Sequence, residues 1–88
     1  MEVIYLESLI KDLKKVKNKK LLSSLKTVLV KLEQTEDLFL ISSVKKMSGH
    51  PNAYRIRIGD YRLGFYYEDR VVEIARFLKR NDIYKVFP

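Results

Sequence analysis

The chain has 88 residues, 47% hydrophobic and 33% charged, a balance that predicts one small folded domain over residues 1–88 rather than a disordered segment. It has no cysteine, which excludes disulfides and cysteine-ligated metals and is compatible with a reducing compartment. The formal net charge of +7 predicts attraction to a polyanion, such as nucleic acid, an acidic protein segment or an anionic membrane surface. No apolar run approaches the length of a membrane span, and residues 1–4 lack a signal-peptide pattern. We therefore expect a cytoplasmic protein without a membrane partner.

The first third of the chain predicts a strand followed by a helical hairpin. Residues 2–6 are rich in β formers. Ser8 is placed to cap a first helix, in which apolar residues recur at helical spacing as far as Val16. After the interruption at residues 18–20, a stronger leucine-rich stripe runs from residue 21 to residue 32. We interpret both stripes as core and the interleaved lysines as a mostly solvated face.

The second half predicts a small antiparallel sheet. Residues 35–51 have weak periodicity and end in turn chemistry, so we expect a connector that enters the sheet, with Lys45 and Lys46 just before the turn. Gly59-Asp60 between two alternating runs signals a two-residue hairpin. A second turn near Glu68-Asp69 leads into a third strand, and residues 79–84 form a loop or a short helical turn. The fold class predicted is α+β, with the N-terminal strand and helical hairpin packed on a small, mainly antiparallel sheet.

The hairpin register sorts the side chains into two faces. Counting outward from Gly59-Asp60 pairs Arg57 with Arg62 and Ile56 with Leu63. One face then suits packing on the helices and holds Tyr54, Ile56, Ile58, Tyr61, Leu63 and Phe65. The other face, which we expect to be exposed, holds Arg55, Arg57, Arg62 and Tyr66.

Arginine and lysine are segregated along the chain. All six arginines lie between Arg55 and Arg80, whereas residues 1–48 carry ten lysines and no arginine. The planar guanidinium suits geometric recognition of phosphate. Like charges directly opposite on a sheet destabilise it by up to about 1 kcal/mol, so the pairing of Arg57 with Arg62 calls for compensation. Either a nearby carboxylate such as Glu73 neutralises the arginines, or they bind a phosphate or carboxylate beside a tyrosine that stacks a base.

Other chemistries have little support. The one histidine, His50, precedes a proline in a turn and is interpreted as a loop residue rather than a catalytic base. The chain has no zinc-ligand cluster, phosphate loop, nucleophile elbow or calcium-loop spacing. We expect neither a metal nor a nucleotide cofactor.

The motif order resembles the RelE/ParE superfamily of bacterial type II toxins over essentially the whole chain. The resemblance is closest over residues 49–84, where the motifs are Tyr54-Arg55-Ile56-Arg57, Gly59-Asp60-Tyr61-Arg62-Leu63 and the late pair Arg80 and Tyr84. It implies the compact α+β RelE-like microbial RNase fold. The RelE branch cuts mRNA in the ribosomal A site and inhibits translation, whereas the ParE branch poisons DNA gyrase. The partners implied are a cognate antitoxin, the ribosome and mRNA, and operator DNA through the antitoxin complex.

The resemblance also implies a basic catalytic site. It favours the RelE branch because every catalytic position of that branch is filled here, by Arg55, Arg57, Arg62, Arg80 and Tyr84. The implied reaction is metal-free. The ribose 2′-hydroxyl attacks the adjacent phosphorus and leaves a cyclic phosphate and a free 5′-hydroxyl. Arg62 and Arg57 would clamp the phosphate, Arg80 would lie on the leaving-group side, and Tyr84 would orient a base. We expect further RNA contacts from Lys45, Lys46, Tyr66 and Lys79.

Two departures from the family pattern bear on activity. Some relatives have lysine at the position of Arg55, and a guanidinium, with its very high pKa, rarely deprotonates. Leu78-Lys79 stands where many relatives have glycine and histidine or another polar residue. Two alternatives stay open. The chain is a gyrase inhibitor of the ParE kind, or a catalytically silent homologue that only binds its antitoxin and operator DNA.

Overall fold

The computed structural model describes residues 1–88 and contains one mixed sheet with three helices. The elements, in chain order, are β1 (Glu2–Tyr5), α1 (Glu7–Leu13), α2 (Lys19–Gln34), a 3₁₀ turn (Leu38–Leu40), β2 (Val44–Lys46), β3 (Ala53–Ile58), β4 (Tyr61–Glu68), β5 (Val71–Lys79) and α3 (Arg80–Val86). The strand order is β1-β5-β4-β3-β2, and only β1 and β5 pair in parallel. This arrangement confirms the predicted α+β class. No helix is long and apolar enough to cross a membrane.

The hairpin between β3 and β4 has the predicted register. Arg57 lies opposite Arg62, and Ile56 lies opposite Leu63. Gly59 has a φ of 59°, and Asp60 is not among the residues with positive φ. A positive φ at the first central residue alone is the geometry of a type II′ turn, for which glycine is preferred. The local turn chemistry therefore sets which side chains share a face.

The helical hairpin forms with different ends from those predicted. The side chain of Asn18 accepts a hydrogen bond from the Leu21 amide and caps α2. The prediction that Ser8 caps α1 is wrong. Because β1 leads directly into α1, Leu6 occupies the cap position, and the Ser8 hydroxyl donates instead to the Ala75 carbonyl of β5 at 2.6 Å.

Three short elements are more regular than the sequence predicts. Residues 35–51 hold the 3₁₀ turn and β2 rather than a plain connector, so Lys45 and Lys46 lie in an edge strand. The chain end forms α3, a helix of seven residues. Elements this short carry too little periodicity to be recognised from sequence alone.

The sheet has a core on each face. The larger core has twelve buried residues and lies under α1 and α2, and its largest members include Phe65, Phe77, Leu9 and Leu32. The smaller core lies under α3 and consists of Met47, Ala53, Ala75, Ile83 and Phe87. The arginines of β3 and β4 share the face that α3 partly covers. The position of α3 therefore decides the surroundings of these arginines.

Candidate active site

A polar cleft lies between the β3–β4 turn and the start of α3. It has a volume of about 490 Å³ and no hydrophobic lining, and its walls are Arg57, Gly59, Asp60, Arg62, Lys79, Arg80, Asn81 and Asp82. The Arg80 amide donates a hydrogen bond to the Asp60 carbonyl at 2.9 Å. This bond ties the first residue of α3 to the hairpin turn. Two distant parts of the chain thereby form one site.

Arg62 is buried in the wall of this cleft. Its side chain is only 7% exposed, and its Nη1 donates to the carbonyls of Gly59 at 3.1 Å and Tyr61 at 2.9 Å. Its Nε is buried without an acceptor. The expectation that Arg62 lies on an exposed face is therefore wrong, because the guanidinium folds back onto its own turn and α3 begins beside it. An unpaired buried donor is rare in proteins and calls for an acceptor from a ligand or from water.

Arg57 is the strand partner of Arg62, and Arg80 lines the same cleft. Burial lowers the pKa of the Arg62 guanidinium, and three cations lower this pKa further, namely Arg55, Arg57 and Arg80. Tyr84 acts on the same pKa in the opposite direction. A guanidinium nevertheless stays protonated in proteins. The structure thus brings together all five side chains for which the family resemblance implies a catalytic role.

Arg55 and Tyr84 form a contact of their own at one side of this cluster. The Arg55 guanidinium carbon lies 5.9 Å from the centroid of the Tyr84 ring, within the range of a cation–π interaction. Tyr84 lies on α3 and is 48% exposed. Its ring therefore has surface available for another planar group.

No carboxylate neutralises the arginine cluster. The structure contains two ion pairs, between Lys11 and Glu7 and between Arg76 and Asp12. Glu73 pairs across the sheet with Tyr66 and forms no ion pair, so the compensation considered from sequence is absent. Asp60 and Asp82 line the cleft without forming an ion pair. The site retains an excess of positive charge, which suits an anionic ligand.

Comparison with known proteins identifies the family. A family model described as "ParE toxin of type II toxin-antitoxin system, parDE" matches residues 3–84. Toxin RelE3 of Methanocaldococcus jannaschii is 33% identical over 89 residues, and the match covers 100% of both chains. The chain belongs to the RelE/ParE family of type II toxins.

Solved structures agree with the assignment of this toxin to the family. A chain of the RelB-RelE antitoxin-toxin complex from Methanococcus jannaschii has 30% identity and a TM-score of 0.82, with coverage of 97% of this chain and 99% of that one. A chain of the archaeal RelE-RelB complex from Pyrococcus horikoshii has a TM-score of 0.69 at 24% identity, with coverage of 90% and 93%. The second likeness concerns the fold alone.

Only some of the residues expected to contact RNA lie near the arginine cluster in the toxin. Lys79 lines the cleft, and Lys45 lies directly opposite Arg55 on β2. Lys46 pairs with Tyr54 and so belongs to the other face of the sheet. Tyr66 lies four residues along β4 from Arg62, about 13 Å away. Lys45 and Lys79 therefore adjoin the cluster, whereas Lys46 and Tyr66 do not.

Tyr66 instead helps to hold the far end of this face. Its ring centroid lies 5.2 Å from His50 and 5.2 Å from Phe87. His50 Nδ1 accepts a hydrogen bond from the Asn52 amide at 3.0 Å. These contacts agree with the interpretation of His50 as a loop residue. No three His, Asp or Glu side chains come together as metal ligands.

Sequence reasoning missed the residue on which α3 rests. Gly64 is buried in β4, and a Cβ atom there would lie 2.8 Å from Phe87 Cδ2. A glycine inside a strand pattern is the available signal, since it often marks a close approach of another element. Gly64 therefore affects where Arg80 and Tyr84 lie.

Proposed function

We propose that this toxin is a ribosome-dependent, metal-free mRNA endonuclease that cuts in the A site and thereby inhibits translation. The observation that carries the proposal is a cluster of four arginines beside one tyrosine, with no carboxylate paired to any of the four. Such a cluster is costly to fold unless a ligand compensates it, and the phosphodiester of RNA is a ligand of matching charge and geometry.

Phosphate stabilisation is assigned to Arg57 and Arg62. They lie directly opposite each other on neighbouring strands, and both face the cleft. Two backbone carbonyls hold Nη1 of Arg62, so its guanidinium is oriented before RNA binds. Donors fixed in advance around the phosphorane lower the barrier because little reorganisation occurs as its charge develops.

The flanking steps are assigned to Arg55, Arg80 and Tyr84. Arg55 does not act as a base, because a guanidinium stays protonated; its charge instead favours ionisation of the 2′-hydroxyl, whose proton passes to water. Arg80 stabilises the negative charge that develops on the leaving 5′ oxygen, which then takes a proton from water. Tyr84 stacks on a neighbouring base.

The proposal includes an antitoxin that holds the toxin inactive. The RelE chains that this toxin resembles were solved in complexes with RelB. We infer a cognate antitoxin for this chain that docks on the helical hairpin and the sheet, and operator DNA binding through that complex.

The test uses Arg57→Gln rather than a change at Arg62. Arg57 is exposed and forms no side-chain hydrogen bond, so its replacement removes one cation from the cleft with little effect on folding. We expect cleavage of mRNA on programmed ribosomes to fall about 100-fold, the typical effect of removing one transition-state donor. The measurement is the mapping of mRNA 5′ ends with and without ribosomes. Lys26→Gln, an exposed change of equal charge on α2, should cleave like the wild type.

Inhibition of DNA gyrase is the second candidate, favoured by the ParE description of the matching family model. In that case supercoiling by gyrase falls in the presence of the toxin, Arg57→Gln retains this effect, and no mRNA is cut. A catalytically silent homologue would instead leave growth unchanged when expressed without an antitoxin. Either result contradicts the endonuclease proposal.

A further inference from the structure

A second basic surface lies at the turn between α1 and α2. Five lysines occur within seven residues there, and all five are exposed: Lys14, Lys15, Lys17, Lys19 and Lys20. None of them forms an ion pair. The sequence has no carboxylate between Asp12 and Glu33. We call this segment, residues 14–20, the lysine turn.

The lysine turn is continuous with the polar cleft that holds the arginines, which we call the arginine cleft. A groove of about 270 Å³ separates it from the β3–β4 turn and is lined by Asn18, Lys20, Leu21, Ser24, Ile58, Gly59, Asp60 and Tyr61. Gly59 and Asp60 line the arginine cleft as well. Asp60 is the only carboxylate in the groove. A polyanion that leaves the cleft around the β3–β4 turn therefore meets lysines at once.

We propose that the lysine turn binds phosphate groups of RNA beside the cleft and that it supplies affinity but no chemistry. This inference rests on the proposed function, because it extends the site that would hold the cleaved strand. Lysine is a compact point charge on a flexible stem, suited to following a backbone without reading sequence. Arginine, which suits bidentate contacts, is absent from the lysine turn, and four of the six arginines lie in the cluster at the cleft. The division of the two cations along the chain thus matches a division between affinity and catalysis.

The RNA phosphates can come from the mRNA or from ribosomal RNA. A short single-stranded RNA with 2′-O-methyl ribose cannot be cleaved by 2′-hydroxyl attack, so it reports binding alone. Purified ribosomes without mRNA report contacts with ribosomal RNA. Affinity for each is measured over a range of salt concentrations.

The test variant combines Lys17→Gln, Lys19→Gln and Lys20→Gln. Each phosphate contact contributes about 0.7 to the slope of log affinity against log salt for single strands, so the slope should fall by about 2. Binding at about 0.1 M salt should then weaken on the order of 100-fold. The control combines Lys11→Gln, Lys26→Gln and Lys31→Gln, which removes the same charge elsewhere on the two helices. The control should keep the wild-type slope.

The outcomes separate this inference from the proposed function. A reduced salt dependence of oligonucleotide binding in the test variant would show that the lysine turn contacts mRNA. A reduction seen only with ribosomes would show that it contacts ribosomal RNA. Equal slopes for the two triple variants with both RNA probes would overturn the inference. Binding does not require cleavage, so a toxin that binds RNA through the lysine turn without cutting it disproves the endonuclease proposal alone.

Discussion

Gly64→Ala is expected to lower mRNA cleavage by roughly 1,000-fold or more, a larger loss than any single arginine substitution, because it displaces two site residues together. The added Cβ would lie 2.8 Å and 2.9 Å from two ring atoms of Phe87 and 3.1 Å from Ile83. Ile83 belongs to α3, and Phe87 directly follows its last residue. The core beneath them has five buried residues, against twelve on the opposite face of the sheet. The clash is therefore relieved by movement of α3, which carries Arg80 and Tyr84.

The test pairs activity with a measure of helix position. Amide hydrogen exchange in α3 should rise in Gly64→Ala, while the larger core keeps its protection. Phe87→Val removes the two clashing ring atoms, so the double variant should recover part of the cleavage that Gly64→Ala loses. Wild-type exchange in α3 together with full activity would show that the helix adapts to the new side chain without moving the site. Hydrogen exchange reports the position of α3 whether or not the toxin cleaves RNA.

The correct sequence predictions depended on local rules. The pairing of Arg57 with Arg62 follows from the Gly59-Asp60 turn and from strand alternation, both of which are properties of adjacent residues. The strand of three residues at Val44–Lys46 has no comparable local signal. The burial of Arg62 also escaped prediction, because it depends on α3, which comes later in the chain and packs over the same face.

The candidate site could be predicted only in part from sequence, because it too depends on packing between distant parts of the chain. The family resemblance grouped Arg55 and Arg57 with Arg80 and Tyr84, and the structure places them together around Arg62. Their catalytic roles remain a proposal. Lys46 was grouped with the site by its charge, and Tyr66 by its position on the same sheet face as the arginines. Strand pairing puts Lys46 on the other face, and the contact with Phe87 occupies Tyr66.

Asp12→Ala is expected to lower the free energy of unfolding by about 3–5 kcal/mol, the range for removing one partner of a buried ion pair. Asp12 is 4% exposed, and its carboxylate accepts hydrogen bonds from Arg76 Nε at 2.8 Å and Arg76 Nη2 at 3.1 Å. The same carboxylate accepts from the Phe77 amide at 3.0 Å. The last residue pair between β1 and β5 is Tyr5 with Ile74, so Asp12 takes the place of a strand partner just beyond that point. Its removal leaves both a buried amide and a guanidinium unpaired.

Urea denaturation measures this loss, with Glu7→Ala as the matched control. Glu7 also pairs with a cation, Lys11, but both side chains are largely exposed, so its loss should cost less than about 1 kcal/mol.

Asp12→Asn separates the two functions of the carboxylate, because an amide oxygen can still accept from Phe77 while the charge opposite Arg76 is lost. If Asp12→Asn is as unstable as Asp12→Ala, charge pairing dominates; if it is nearly as stable as the wild type, the edge hydrogen bond does. A small domain has about 5–15 kcal/mol of stability in total, so the expected loss in Asp12→Ala is a large fraction of it. Equal midpoints for Asp12→Ala and Glu7→Ala would contradict the assignment of Asp12 as the residue that closes the edge of β5.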